Sequence, residues 1–477
     1  MPIGAMPCFP KLRCSTIPKI VLRDFVASAQ TPKIQLPDVP GALHERLAIA
    51  VEQLIGARRY QPGDRLPTHR ELAQQAGVAI GTVTKALDLL SGRGILRGEV
   101  GRGTFVNDVR IAPVSNGVID LAVNGPPPVI PEEKFREAAE RAMRRSLALP
   151  HGGYAAQRGT AEQRRTFAGW LTRTRLKLDE DELIATVGVQ HGIFLAFQDL
   201  RHTSRLIATE GATYPGALAA ARALDMEMLP VLHDDNGIDP DDLDRTLATS
   251  GAKIIYLTPV CHNPLGFEMD ESRRRAVLAV AEKHDAWIVE DDIYSVYAAK
   301  GGPTFKQLAP SRTYYLNSLS KCLTPLLRVG VIAPPEERRA SIAKAVGAVV
   351  WGASPHGMEM GCALIEVGAD TTVASILRTE AKARLQLAQR VLALDSVPMP
   401  GGAPHLWLPM PAIQAAKLAR LSSDHGVRLT PPDASYVGGE SGGGIRLSIM
   451  ATTSRDDLEK ALRTVATLRT EPEEVII

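Results

Sequence analysis

Four segments carry residue types that could act together on one small ligand. TVGVQHGIFLAF puts Gly188, Val189 and Gln190 at a turn from a strand into a helix, where the first backbone amides of the helix would seat a phosphate. CHNPLG offers Asn263 on the loop after the apolar run IIYLTPV. VEDDIYSVY ends a hydrophobic run with Asp291 and, three residues on, Tyr294. YLNSLSKCLTPLLRVG ends another with Ser318, Ser320 and Lys321, and Arg328 follows seven residues after the lysine. Singly, each has a bland reading: the aspartate as a helix cap, the lysine as a solvated side chain, the glycines as packing. Together they supply an amine, a carboxylate, a phenol, an amide and a phosphate clamp. All four segments sit at strand C-termini, where an open α/β sheet binds ligands.

That combination is what pyridoxal 5′-phosphate needs. Its aldehyde requires an amine for an imine, assigned to Lys321. Its pyridine nitrogen stays protonated beside a buried carboxylate, assigned to Asp291. Asn263 and Tyr294 can donate to the ring's phenolate oxygen. Ser318, Ser320 and Arg328, with the Gly188–Gln190 turn, neutralise the phosphate. Tyr214, in ATYPG, is placed to stack on the ring. Arg446, in GGIRLS, has the planar guanidinium that grips a carboxylate in two-pronged fashion; a structural salt bridge is its equal alternative.

The elements behind these residues follow from patterning. Short β-branched runs (RLIATEG, IIYLTPV, AWIVEDDIY, TYYLNSLS) alternate with amphipathic helices such as PDDLDRTLATS and DESRRRAVLAVAEKHD. Alternation of this kind predicts a mainly parallel, doubly wound α/β sheet. The N-terminal part reads differently. ALHERLAIAVEQLIGARR is a helix by spacing, Thr68 to Glu71 form a capping box opening a second through Ala76, and Gly77-Val78 turn into a third, GTVTKALDLLSGRG. ILRGEVGRGTFV then gives two short strands. Three helices and a hairpin make a winged helix-turn-helix whose third helix can enter a major groove.

The sequence is thus divided into an irregular, proline-rich arm (1–40), a winged helix-turn-helix (41–107), a linker (108–130) and a large α/β domain (131–477). Segment 41–107 has nine Lys/Arg against six Asp/Glu. Arg65, Arg70, Lys85, Arg97 and Arg102 fall where phosphate or wing contacts to double-stranded DNA are useful.

PGDRLPTHRELAQQAGVAIGTVTKALDLLSGRGILRGEVGRGTFV resembles the DNA-binding domain of GntR-type regulators. Many relatives carry Ser-Arg where this chain has Ala79-Ile80, which moves the expected contacts to Thr82, Thr84 and Lys85. The region from about 118 to 470 resembles fold-type I aminotransferases. That resemblance implies cofactor roles for Asn263, Asp291, Tyr294, Lys321 and Arg328, with Tyr294 joining Lys321 in the catalytic set, and a substrate-carboxylate role for Arg446. It also implies that Tyr154, in GGYAAQRGT, reaches the cofactor phosphate of a neighbouring subunit, and hence a homodimer. The two parts together resemble the MocR subgroup of GntR regulators, in which the large domain senses an amino compound and alters DNA binding. The alternative is a working aminotransferase with a vestigial DNA-binding domain.

Composition sets the outer bounds. The 477 residues are 45% hydrophobic and 23% charged, with a net charge of +2. Global disorder is therefore excluded, and any nucleic acid must meet a local patch. Five scattered cysteines (Cys8, Cys14, Cys261, Cys322, Cys362) give neither a disulfide framework nor a zinc site. No long apolar run suggests a membrane span, and the N-terminal stretch STIPKIVLRDFV is too interrupted for a signal. A cytoplasmic protein is expected.

Overall fold

The computed structural model describes residues 34–470 except 38, 40, 57–58, 61–62, 93–94, 100–101, 107–117, 149–153, 155, 299–300, 398, 400 and 438–442. The expected arm up to residue 33, with Cys8 and Cys14, and linker positions 108–117 lie outside the described residues. The chain divides into two compact units, Met1–Val109 and Arg110–Ile477.

In the first unit, α1 (Leu43–Gly56), α2 (His69–Ala76) and α3 (Ile80–Gly92) precede an antiparallel hairpin of β1 (Leu96–Glu99) and β2 (Gly103–Val106). The capping box at Thr68 is present. Glu71 N donates to Thr68 Oγ1 at 3.4 Å, and Thr68 N donates to the Glu71 carboxylate at 2.7 Å. Two amides that the helix start leaves unpaired are thereby satisfied. Gly77, with φ 65°, ends α2 in the left-handed conformation that releases the chain into the turn. Leu47, Val51, Leu72, Val83, Leu87, Leu90, Leu96 and Val106 share one core. Their burial leaves Ile80, Lys85 and Asp88 exposed on α3.

The second unit is built on a seven-stranded sheet. Its strands are β4 (Ile184–Thr186), β5 (Leu206–Glu210), β6 (Glu227–Val231), β9 (Ile254–Leu257), β10 (Trp287–Asp291), β11 (Thr313–Ser318) and β12 (Gly330–Ala333), in the order β4-β12-β11-β10-β9-β5-β6. Only β12 runs antiparallel to its neighbours. A small hairpin of β7 (His233–Asp234) and β8 (Gly237–Ile238) stands apart from it. Successive side chains of a strand point to opposite faces, and here both faces are buried. Tyr256, Val289, Tyr314 and Leu316 join one core, whereas Ile255, Leu257 and Ile288 join another and Tyr315 and Val331 a third. The near-continuous apolar runs follow from this two-sided burial.

The linker expectation needs correction beyond residue 117. β3 (Ile119–Asp120) pairs in parallel with β14 (Val427–Arg428), and Ser448 N donates to Leu121 O at 2.9 Å. Residues 118–130 therefore belong to the folded second unit. Two residues of strand are too few to impose a period that the sequence could reveal. Alongside, β13 (Leu406–Pro409) pairs antiparallel with β15 (Gly444–Leu447), setting Trp407 opposite Arg446.

Candidate cofactor and effector site

The C-terminal ends of β4, β5, β9, β10 and β11 meet the segment after β3 around one cavity of about 360 Å³. Lys321, Asp291, Tyr294, Asn263, Tyr214, Ser320, Arg328, Val189, Gln190 and Arg446 all line it. Three other residues singled out from the sequence do not. Ser318 is fully buried at the end of β11, its Oγ accepting from Ser320 N at 3.1 Å, so it shapes the turn. Gly188 (φ 81°) precedes the helix Val189–Leu200, and a Cβ there would lie 3.0 Å from Arg328 Nη2. Tyr154 is 82% exposed and packs on Trp351 with ring centroids 4.7 Å apart.

Asp291 ends β10. Its Oδ2 accepts from the Tyr256 hydroxyl at 2.9 Å and its Oδ1 from Ile293 N at 3.2 Å. Burial nevertheless lifts its pKa to about 7, against the pull of those two donors. Such a carboxylate would be stabilised by a cation.

Lys321 is lowered to about 8, chiefly by burial and then by Arg446. Its ammonium donates to the carbonyl of Asn124. Tyr294 Oη accepts from Asn124 Nδ2 at 2.9 Å and Asn263 Nδ2 at 3.4 Å, and burial pushes the phenol well above its usual pKa.

Arg446, on β15, donates through Nη1 to Asn263 Oδ1 at 2.7 Å. Its Nη2 donates to Thr430 Oγ1 at 2.9 Å and Ala122 O at 2.5 Å. Among the described residues its partners are an amide, a hydroxyl and a carbonyl and not a carboxylate, which weighs against the salt-bridge reading. Arg328 (φ 53°) is exposed and reaches Val187 O at 3.2 Å.

The donor set fits pyridoxal 5′-phosphate. Around the cavity, Asn124 Oδ1, Gln190 Oε1, Thr258 Oγ1 and Arg446 Nε are buried without hydrogen-bond partners. Orphaned polar atoms of this kind carry a desolvation cost that a polar ligand would relieve. Asn124, Tyr256, Thr258 and His405 are not among the residues the sequence singles out. Asn124 falls in the stretch expected to be linker. Tyr256 and Thr258 do carry a signal, an aromatic and a hydroxyl at alternate positions of an otherwise aliphatic run.

On the first unit, Arg65, Arg70, Lys85 and Arg102 are exposed and Thr82 is half-buried. A Cβ on Gly103 would lie 2.7 Å from Arg65 Nε, so that arginine lies against the hairpin. Thr84 Oγ1 donates to Ile80 O at 3.2 Å and stands 3.2 Å from His69 Nδ1, tying α3 to α2. Arg97 lies on β1 opposite Phe105.

Both parts match known families. Residues 116–465 match aminotransferase class I and II, and residues 43–106 match the bacterial regulatory proteins of the gntR family. The pyridoxine biosynthesis regulator PdxR of Corynebacterium glutamicum is 29% identical over 345 residues, covering 69% of this chain and 75% of that protein. The regulator TauR of Rhodobacter capsulatus is 28% identical over 440 residues, covering 83% and 90%. Among solved structures, an archaeal alanine:glyoxylate aminotransferase aligns with a TM-score of 0.66 at 24% identity, over 74% of this chain and 90% of that one. The α-aminoadipate aminotransferase LysN of Thermus thermophilus aligns at 0.65 and 23%, over 75% and 95%. The large unit thus has the fold-type I aminotransferase fold. The chain belongs to the aminotransferase class I and II family and, with its GntR domain, to the MocR subgroup of GntR-type transcriptional regulators.

Proposed function

We propose that this regulator binds pyridoxal 5′-phosphate at Lys321 and reads, through it, an amino compound that changes the affinity of its winged helix-turn-helix for DNA. The carrying observation is the single cavity in which Lys321, Asp291, Tyr294, Asn263, Arg328 and Arg446 converge, in a chain that also holds a helix-turn-helix. When bound, pyridoxal 5′-phosphate supplies a carbonyl that amino compounds attack reversibly and a ring that withdraws electrons.

The chain's own groups have separable tasks. The Lys321 amine, lowered to about 8, is unprotonated often enough at neutral pH to serve as a nucleophile. The Asp291 carboxylate holds a proton at the ring nitrogen, and Tyr256 keeps that carboxylate oriented. Arg328, Ser320 and the amides of Val189 and Gln190 bind phosphate oxygens. Tyr214, on the cavity wall, would stack on the ring. Arg446, its guanidinium already fixed by Asn263 and Thr430, holds the carboxylate of the effector. Occupation can shift DNA binding only by the effector's differential affinity for the two states.

A homodimer in the cytoplasm completes the reading. Large exposed side chains, Met143, Leu147, Tyr154 and Trp351, are the support for a covered face, with Tyr154 serving a neighbouring site. DNA contacts are assigned to Arg65, Arg70, Thr82, Lys85, Arg97 and Arg102, with Thr84 in a supporting place.

The test is a screen of amino acids and amines against the absorbance of the bound cofactor, with operator binding read in parallel. A compound that perturbs both supports the sensor. Sustained conversion of an amino acid and an oxo acid without any change in DNA affinity would instead identify an aminotransferase.

A further inference from the structure

A chain of hydrogen bonds behind the cavity decides which way its donors point. His405, on the residue before β13, is 1% exposed. Its Nε2 lies 2.9 Å from the carbonyl oxygen of His262. A carbonyl can only accept, so Nε2 carries the proton. Burial, reinforced by Arg446, holds the imidazole neutral down to a pKa of about 3. With Nε2 protonated and the ring neutral, Nδ1 must be a bare acceptor.

Nδ1 lies 2.8 Å from the side-chain amide of Asn124, which must therefore present its NH₂. That same Nδ2 reaches the Tyr294 oxygen at 2.9 Å, so both amide hydrogens are spent. Asn124 Oδ1 is left buried and unpartnered on the cavity wall. Asn263 is fixed independently, since its Oδ1 accepts from Arg446 and its Nδ2 turns to Tyr294. The phenol oxygen accepts twice, and among the described residues its own hydrogen has no acceptor.

We propose that His405 and Asn124 are positioning residues: the His262 carbonyl fixes the His405 tautomer, the tautomer fixes the Asn124 amide, and the two amides turn the Tyr294 proton into the cavity, leaving Asn124 Oδ1 there as the matching acceptor. This gives the site a polarity rather than only a shape. The phenol donates to an anionic oxygen of the bound molecule, and Asn124 Oδ1 takes a hydrogen from its amino or hydroxyl group. The expected spectral effect rests on the cofactor reading above; the tautomer does not.

Two measurements separate them. In full-length protein labelled with ¹⁵N-histidine, the resonance absent from the His405→Gln variant should report a neutral ring protonated at Nε2 down to pH 5 or so. A ring protonated at Nδ1, or doubly protonated there, overturns the proposal whether or not cofactor binds.

The second measurement titrates the absorbance of the cofactor-loaded protein with pH. A hydrogen bond to the ring oxygen favours its anionic form, so losing the directed phenol should raise the transition by roughly one unit. His405→Leu should show that rise. His405→Gln, whose amide can donate to His262 and accept from Asn124, should restore the original midpoint. The groups facing the phenol, Arg446, Asp291, Tyr214 and Cys261, and those facing His405, Arg446, His262 and Lys321, are unchanged in both variants. An unmoved midpoint in His405→Leu, or an equal rise in His405→Gln, overturns the proposal. Absence of any cofactor band in the wild type sinks the cofactor reading, and the tautomer then decides alone.

Discussion

The Tyr256 hydroxyl donates to Asp291 Oδ2 at 2.9 Å across the adjacent strands β9 and β10, with both side chains almost wholly buried. Burial, with Asp291 beside it, holds the phenol far above its usual pKa, so Tyr256 remains a donor at every physiological pH. Tyr256→Phe removes a hydrogen bond to a charged group, a loss of about 1.5–3 kcal/mol. Cofactor affinity, measured by equilibrium dialysis, should fall at least about tenfold in that variant. Unchanged affinity would show that the pair does not act on the ligand.

The raised pKa of Asp291 has a definite sign. Between its ordinary 3.8 and about 7, the folded apo-protein holds a proton that the unfolded chain has released. Stability from this group is therefore complete at low pH and is lost as pH rises through about 7. Asp291→Asn, which cannot ionise, should melt higher than wild type at pH 8 in the apo form, with the gap vanishing near pH 4. Loading the cofactor should reverse the order at pH 8, because only the wild type gains a charge pair. Parallel melting curves at both pH values would contradict the assignment.

Much of the site is legible in the sequence, for identifiable reasons. Lys321 and Asp291 follow or end strands with strong apolar patterns, so their placement needs only the period and the end of each run, whereas Arg446 is reached through the family resemblance and its two-pronged guanidinium. Thr68 and Glu71 declare the start of α2 through their spacing. Asn124 and His405 have no such signal. Asn124 follows a two-residue strand whose partner, β14, lies some three hundred positions away, and His405 acquires its role through a carbonyl, His262, that no side-chain pattern encodes. Ser318 is buried at the end of β11 and is not among the residues lining the cavity, since alternation along β11 does not tell which hydroxyl faces the cavity once the chain begins to turn.

Gly188 tests the phosphate end. With φ 81° and ψ 173°, Gly188 sits in a region that is essentially glycine-only, so a Cβ there is strained by roughly 1–3 kcal/mol and would press on Arg328 Nη2. Gly188→Ala should therefore weaken binding of the cofactor and of free inorganic phosphate in parallel, and the strain should lower the melting temperature of the apo-protein by only a few degrees. Equal binding of phosphate by both proteins would remove this turn from the clamp.

The first unit makes its own prediction. Lys85 and Arg70 are exposed on or beside the helix-turn-helix. Replacing either with alanine should weaken DNA binding and reduce the slope of log affinity against log salt by about one for each phosphate left without its cation. Fluorescence anisotropy across a salt series would measure it. Wild-type slope and affinity in both variants would exclude these side chains from the DNA interface.

The most direct measurement is operator affinity of cofactor-loaded wild type and of Lys321→Ala supplied with the same cofactor, each with and without an effective amino compound. The account predicts that the compound changes wild-type affinity within the usual allosteric range, about 5–150-fold, and leaves Lys321→Ala unaffected. An equal change in both proteins would contradict it, because the signal would then bypass the lysine on which the sensing mechanism depends.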